Sequence, residues 1–321
     1  MTRPLVRLAE PNDFSQQALD VLAPFVDVQA EVVAPTDLRA ALASCDVFWL
    51  RLGHKIRADD LSGDRLKVIA CPATGLDHID VDACRARGIR VVALKGEVGF
   101  LRRIRATAEH TFALALALLR KLPSATAHTE QGGWDRDLFR GRELFESTMG
   151  IVGAGRLGTI VADMARAFGM RVVAYDPRDD FPDGLERVDS LQALCAQSDV
   201  VSLHVVYNDD THHLIDAEVL AAMKPSAVLV NTSRGGVVDT EALLSALQSN
   251  VLAGAALDVV DGEPDFTADT PLLAYARDND RLLVTPHIGG NTSESFVRTE
   301  VFLAHRVLQA LGLEAVDEEA S

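Results

Sequence analysis

The chain has 321 residues, more than one hydrophobic core usually serves, so two domains are expected. Apolar residues make up 48% of it and charged residues 24%, the balance of an ordinary globular protein. The 31 basic and 47 acidic side chains give a net charge of −16, which argues against a nucleic-acid surface or an anionic membrane as partner.

The opening stretch MTRPLVRLAEPND lacks the apolar run of a secretory signal. The longest apolar run, TFALALALL (111–119), is too short to cross a bilayer. Cys45, Cys71, Cys84 and Cys195 show no CxxC spacing and read as reduced thiols of a cytoplasmic protein, with no metal site expected.

In chain order, DVFWLR (46–51), KVIACP (67–72) and RVVAL (90–94) read as buried strands, and DLRAALASC (37–45) reads as a helix before them. VGFLRRIR (98–105) gathers Arg102, Arg103 and Arg105. As a helix it places Arg102 and Arg105 on one face. Two guanidinium groups there can hold a second anionic group of a ligand, each charge-assisted bond contributing roughly 1.5–3 kcal/mol. A solvated face or a subunit contact accounts for the same charges, and Lys95 is a weaker candidate. ATAEHTFALALALLRKLP (106–123) reads as one helix, apolar all round, suited to burial between two bodies. WDRDLFRGREL (134–144) reads as an exposed loop.

Six further strands are expected at 148–154, 171–176, 199–204, 227–233, 254–260 and 282–287, with PRDDFPDG (177–184) as a loop. The helical SESFVRTEVFLAHRVLQALG (293–312) follows, then an acidic tail, LEAVDEEAS (313–321), expected to fray. Strands alternating with helices predict parallel sheets with right-handed crossovers. The fold class is therefore α/β, with two Rossmann-like, doubly wound parallel-sheet domains. One domain comprises 1–103 and 289–321, discontinuous because the last helix returns to it, and the other comprises 104–288.

GIVGAGRLGTIVADMARAFGMRVVAYDP holds Gly153-x-Gly155-x-x-Gly158 between a strand and a helix, and the next strand ends in Asp176. In that setting the glycines read as a dinucleotide fingerprint. Gly153 permits the tight turn, Gly155 lets backbone approach a pyrophosphate, and Gly158 lets helix and strand pack closely. A carboxylate at 176 can accept both ribose hydroxyls of NAD and repels the 2′-phosphate of NADP, although Arg178 stands close enough to blur that preference.

Later strands deliver Arg234 (VNTSRGGVVD), Asp258 and Glu263 (LDVVDGEP) and His287 (VTPHIGGNT) to the carboxyl end of the second sheet, where ligands of such sheets bind. These types suit hydride exchange with a 2-keto acid. A guanidinium grips a carboxylate. An imidazolium donates a proton to the ketone oxygen, and a neighbouring carboxylate stabilises that imidazolium.

With these motifs on the page, the sequence resembles the D-isomer-specific 2-hydroxyacid dehydrogenases, in their phosphoglycerate-dehydrogenase-like branch. CPATGLDHID, TAEHT, GIVGAGRLG, SLHVVYNDDTHHLI, NTSRGGVVD, ALDVVDGEP and TPHIGG occur in family order along nearly the whole chain. The resemblance implies that His287 is the general acid/base, Glu263 its partner and Arg234 the carboxylate ligand. Thr74 and Gly75 would offer backbone N–H groups to the substrate, joined by Arg102 and Arg105 where it carries a second anion. For the cofactor it implies Gly153, Gly155, Arg156, Leu157, Gly158, Asp176, His204, Thr211 and Thr232, Asp258 at the nicotinamide carboxamide and Thr107 nearby. It also implies a flavodoxin-like substrate domain, NAD as cofactor, a small-molecule substrate and a homodimer. Three departures stand out. Val205, Val206 and Tyr207 follow His204 without the family's proline, FLRRIRATAE replaces its usual approach to the interdomain helix, and no C-terminal regulatory domain is expected.

The expected activity is NAD-dependent interconversion of a D-2-hydroxy acid and its 2-keto acid, with a phosphate, phosphonate or carboxylate as a possible second anion. A glyoxylate or hydroxypyruvate reductase acting on small monoanions is the alternative. A different class, an NADH-sensing binding protein of the corepressor type, shares the fold and would bind NADH without reducing anything. Surface or packing roles are expected for His54, His78, His110, His128, His212, His213 and His305, with His110 expected to hold a hydrogen bond rather than relay a proton.

Overall fold

The computed structural model describes residues 3–263 and 267–313. The chain divides into two compact units, one running to Ile104 and resuming at Thr292, the other Arg105–Asn291.

The first unit is a five-stranded parallel sheet built from β1 (Leu5–Leu8), β2 (Asp27–Ala30), β3 (Val47–Trp49), β4 (Val68–Cys71) and β5 (Arg90–Ala93). Its order, β2-β1-β3-β4-β5, is the flavodoxin-like arrangement. β3 and β4 are buried at every residue, as continuous apolar runs in a sheet covered on both faces must be. The Ser293–Leu311 helix packs in this unit, burying Leu303, Ala304, Val307 and Leu308 against Val6, Leu8, Val68 and Ala70. Thr292 caps it by accepting from the Ser295 N–H, and Gly312 ends it in the left-handed conformation. The same helix buries Glu300 completely, and Arg51 satisfies that carboxylate at 2.8 Å.

The second unit is a seven-stranded parallel sheet of β6 (Thr148–Val152), β7 (Arg171–Tyr175), β8 (Glu186–Arg187), β9 (Val200–Leu203), β10 (Val228–Asn231), β11 (Gly254–Leu257) and β12 (Leu282–Val284). The order β12-β11-β10-β9-β6-β7-β8 reverses direction at β6, which is the doubly wound Rossmann pattern. Crevices at such a reversal, outside the carboxyl ends of the strands, are where these sheets bind ligands.

Several sequence expectations are corrected. The first sheet has five strands rather than three, and the second has seven rather than six. The additional strands are β1, which carries Arg7 among four residues, and β2 and β8, polar strands at sheet edges. The helix expected over 106–123 ends at Leu119. Lys121 is left-handed at φ 52°, and a second helix, Leu122–Glu130, begins with a proline in its first turn. The Ala106–Leu119 helix is buried inside the second unit, where it packs on the Arg156–Ala167 helix and on β10, β11 and β12. VGFLRRIR is not one helix either. Helix Val98–Leu101 closes with Arg103 N–H to Phe100 O and Ile104 N–H to Leu101 O, and Arg105 caps the next helix at φ −111°. These tight closing bonds end the helix, so Arg102 and Arg105 share no helix face. The acidic tail from residue 314 lies outside the described residues. No helix among the described residues is long and apolar enough to cross a membrane.

Candidate active site

The glycine loop follows β6. Gly153 is at φ +95°, and a Cβ there would come within 2.8 Å of the His204 carbonyl. A Cβ on Gly158 would meet the Gly153 carbonyl oxygen at 2.1 Å, so the Arg156–Ala167 helix can press onto the loop only through glycine. Gly155 caps this helix without a side chain, and nothing lies closer to its missing Cβ than Arg178 Nη2 at 3.8 Å. An uncovered helix N-terminus behind a tight glycine turn fits a pyrophosphate. Arg156 opens the helix, and burial lowers the pKa of its guanidinium below the usual value.

Asp176 stands just beyond β7 and is 5% exposed. Its carboxylate accepts from Ala154 N–H at 2.9 Å and is gripped by Arg178 through Nε and Nη2, both at 2.9 Å. Burial pushes its pKa up, but the Arg178 guanidinium and the backbone donors outweigh that and hold it below the usual carboxylate value. The acid that suits ribose is thus present at the right strand end, already neutralised by its own neighbour. The pair is only two residues apart and was legible in the sequence; its two-pronged geometry was not.

His204 directly follows β9, with Nε2 2.8 Å from Ser202 Oγ. Burial pushes its pKa down to about 3, so the ring is neutral. Thr211 turns inward on its own loop, donating to Val206 O at 2.7 Å. Thr232, after β10, meets Thr111 Oγ1 at 2.9 Å and so joins the Ala106–Leu119 helix to the strand that delivers Arg234. Leu157 packs as a partly buried residue in the core beneath the glycine loop.

The three expected catalytic side chains come from the ends of β10, β11 and β12. His287 Nδ1 lies 2.6 Å from Glu263 Oε1, and the other Glu263 oxygen accepts from Val260 N–H at 3.3 Å. With Nδ1–H committed to the carboxylate, Nε2 is the nitrogen left to exchange a proton with a ligand. Both side chains are nearly 30% exposed, so the pair is reachable. Arg234 Nη1 donates to its neighbour Ser233 O at 2.8 Å, while Asn231 Nδ2 donates to the Arg234 carbonyl at 2.9 Å. A Cβ on Gly235 would strike the Val260 carbonyl carbon at 2.1 Å, so the Arg234 loop lies directly against the turn that carries Glu263.

Asp258 organises this end of the sheet. It is 2% exposed, and three successive backbone N–H groups point to it: His287 to its carbonyl (2.8 Å), Ile288 to Oδ1 (2.8 Å) and Gly289 to Oδ2 (2.7 Å). Thr285 Oγ1 donates to Oδ1 at 2.6 Å, and His110 Nε2 stands 3.2 Å from the same oxygen. Burial alone would raise its pKa, yet these donors hold it down at about 2. The wrapping holds His287 at φ +53°, a left-handed backbone that costs a residue with a Cβ roughly 1–2 kcal/mol. A carboxamide contact would be a further demand on a carboxylate that already has four donors. Thr285, and the place of His110 beside Asp258, are what reading the sequence missed.

In the first unit, Thr74 and Gly75 lie on the loop after β4, where Thr74 is exposed. Cys71 Sγ and His78 Nε2, 3.5 Å apart, close the base of that loop. Arg102 and Arg105 are exposed, and neither guanidinium has an ion-pair partner among the described residues.

Residues 112–289 match the family described as D-isomer specific 2-hydroxyacid dehydrogenase, NAD binding domain. The chain is 35% identical to the hydroxypyruvate reductase of Thermotoga maritima over 98% of its own length and 100% of that protein's. The chain belongs to the D-isomer specific 2-hydroxyacid dehydrogenase family.

The glycine loop and the Rossmann sheet are accordingly those of this family's NAD-binding domain. The D-3-phosphoglycerate dehydrogenase of Methanocaldococcus jannaschii is 35% identical over 96% of the chain, which spans 58% of that relative's length. A D-lactate dehydrogenase of Aquifex aeolicus, solved with NAD and lactic acid, superposes with a TM-score of 0.82 at 30% identity, covering 96% of each chain.

Proposed function

We propose that the protein is an NAD-dependent dehydrogenase interconverting a D-2-hydroxy acid and its 2-keto acid. The observation that carries this reading is the 2.6 Å pairing of His287 Nδ1 with Glu263 Oε1 beside the Arg234 loop. When bound, NAD accepts the hydride from the substrate carbon, or NADH returns it. His287 Nε2 takes the hydroxyl proton as the hydroxy acid is oxidised and gives it back to the ketone oxygen in reduction. Glu263 keeps Nδ1 protonated and offsets the imidazolium charge. Arg234 binds the substrate carboxylate, for which its planar fork is suited. Thr74 and Gly75 are proposed as further substrate contacts, and the residues named along the glycine loop, with Thr107, His204, Thr211, Thr232 and Asp258, as cofactor contacts.

A second anionic group on the substrate falls to Arg102 or Arg105 in this reading; the support is that both are exposed and without an ion-pair partner among the described residues. Small monoanions such as hydroxypyruvate are the second reading, favoured by the end-to-end match to the Thermotoga relative. Four buried, free cysteines support a reducing, cytoplasmic location. Trp134 and Leu138, 91% and 57% exposed in one loop, support a homodimer. No nucleic acid or membrane enters the proposal.

NADH oxidation against glyoxylate, pyruvate, hydroxypyruvate, 2-ketoglutarate, phosphohydroxypyruvate and phosphonopyruvate tests the reading. Loss of dianionic substrates alone in Arg102→Ala/Arg105→Ala supports the anion role, and unchanged selectivity removes it. Tight NADH binding without reduction of any 2-keto acid would overturn the dehydrogenase reading in favour of a sensor.

A further inference from the structure

We infer that His110 is a positioning residue for the catalytic histidine, acting through Thr285 and Asp258; the inference rests on the role proposed for His287. His110 stands on the Ala106–Leu119 helix, 175 residues before its partner Thr285 in sequence. Its Nε2 lies 3.1 Å from Thr285 Oγ1 and 3.2 Å from Asp258 Oδ1. Thr285 has one hydroxyl proton, and it goes to Asp258 Oδ1 at 2.6 Å. An ionised Asp258 can only accept. Both oxygens facing His110 therefore need a donor, and Nε2 must carry its proton.

The segment held in this way is the one that aims His287. Residues 287, 288 and 289 each give a backbone N–H to Asp258, which bends the chain into the left-handed conformation at His287. Without His110 the Asp258 and Thr285 side chains are held only by each other and by the 288–289 backbone, across the ends of β11 and β12. His110 ties them to a helix that Thr111, the next residue, anchors to Thr232 near Arg234. The absence of a side chain at 289 lets the clamp close, because a Cβ there would sit 2.9 Å from Asp258 Oδ2 and 3.6 Å from His110 Cδ2. One helix thus holds both loops, the 285–289 segment through His110 and the Arg234 loop through Thr111, which keeps the imidazole in register with Arg234. Misplacement of about an ångström can cost on the order of 100-fold in rate.

Two measurements test this. In steady-state kinetics, His110→Leu should lose about 10- to 100-fold in kcat with KM for the keto acid little changed. His110→Gln, whose amide nitrogen can donate from near the Nε2 position, should recover most of that loss. Full kcat in His110→Leu, or no recovery in His110→Gln, overturns the inference. Independently, nitrogen-15 histidine spectra of the wild-type protein, recorded at a pH where imidazoles are neutral, should show His110 protonated on Nε2; a proton on Nδ1 overturns it. The spectrum requires neither turnover nor a folded leucine variant. A protein inactive on every keto acid but showing the Nε2 proton would refute the proposed function and leave the clamp standing.

Discussion

His287 and Glu263 meet at 2.6 Å although they reach the site from different strand ends, Glu263 from the turn after β11 and His287 from the loop after β12. The carboxylate fixes which imidazole nitrogen is committed and which is available. Glu263→Gln keeps a hydrogen-bond acceptor but loses the charge that stabilises the imidazolium. We expect kcat for keto-acid reduction to fall on the order of 100-fold, with NADH affinity unchanged in a fluorescence titration. Wild-type kcat in this variant would mean that the pair is structural.

Arg234→Lys retains the positive charge but not the two-pronged geometry. A lost charge-assisted bond of roughly 1.5–3 kcal/mol predicts a 10- to 100-fold drop in kcat/KM. The check is kinetics on the best keto acid of the panel, and an unchanged kcat/KM would move carboxylate binding to another residue.

The Arg178–Asp176 pair predicts cofactor selectivity. Removing the guanidinium leaves each Asp176 oxygen with one backbone donor and room to accept a ribose hydroxyl, and takes away the cation that tolerates a 2′-phosphate. Arg178→Ala should therefore bind NADH more tightly relative to NADPH, by about 10-fold, in paired titrations. An unchanged ratio would show that another residue reads the ribose.

Asp258 links the site to stability. Its pKa in the folded protein is about 2, below the ordinary value of 3.8. A depressed folded-state value adds stability that is fully present above the unfolded pKa and is lost as pH falls through the folded one. For this 2%-exposed group the contribution is about 2 kcal/mol. Urea midpoints of wild type and Asp258→Asn should differ most at neutral pH, with the gap narrowing only below about pH 4 and closing near about pH 2. A gap that is constant from pH 7 to pH 3 would assign the loss to packing instead.

What the sequence revealed follows from what each feature demands chemically. The glycine loop was legible because a pyrophosphate turn needs particular residues at fixed offsets, and Gly153 and Gly158 are indeed positions where a Cβ would strike backbone. Arg234, Glu263 and His287 were legible because each follows an apolar strand. β2 and β8 were not, since short polar edge strands carry no alternation to read. The helix end at Leu119 was missed because the backbone turns left-handed at Lys121, a residue type that does not mark such a turn in a sequence. A hydrogen bond was expected of His110, but its partners, Thr285 and Asp258, are remote in sequence and only the fold brings them to it.

The central claim is that His287 exchanges the substrate proton. It is tested most directly by comparing wild type and His287→Ala for NADH oxidation with the keto-acid panel, with NADH binding measured on the same samples. The account predicts turnover of at least one keto acid by wild type, at least about a 100-fold loss in the variant and nearly equal NADH affinity in both. Turnover that survives in His287→Ala, with NADH still bound, would contradict it.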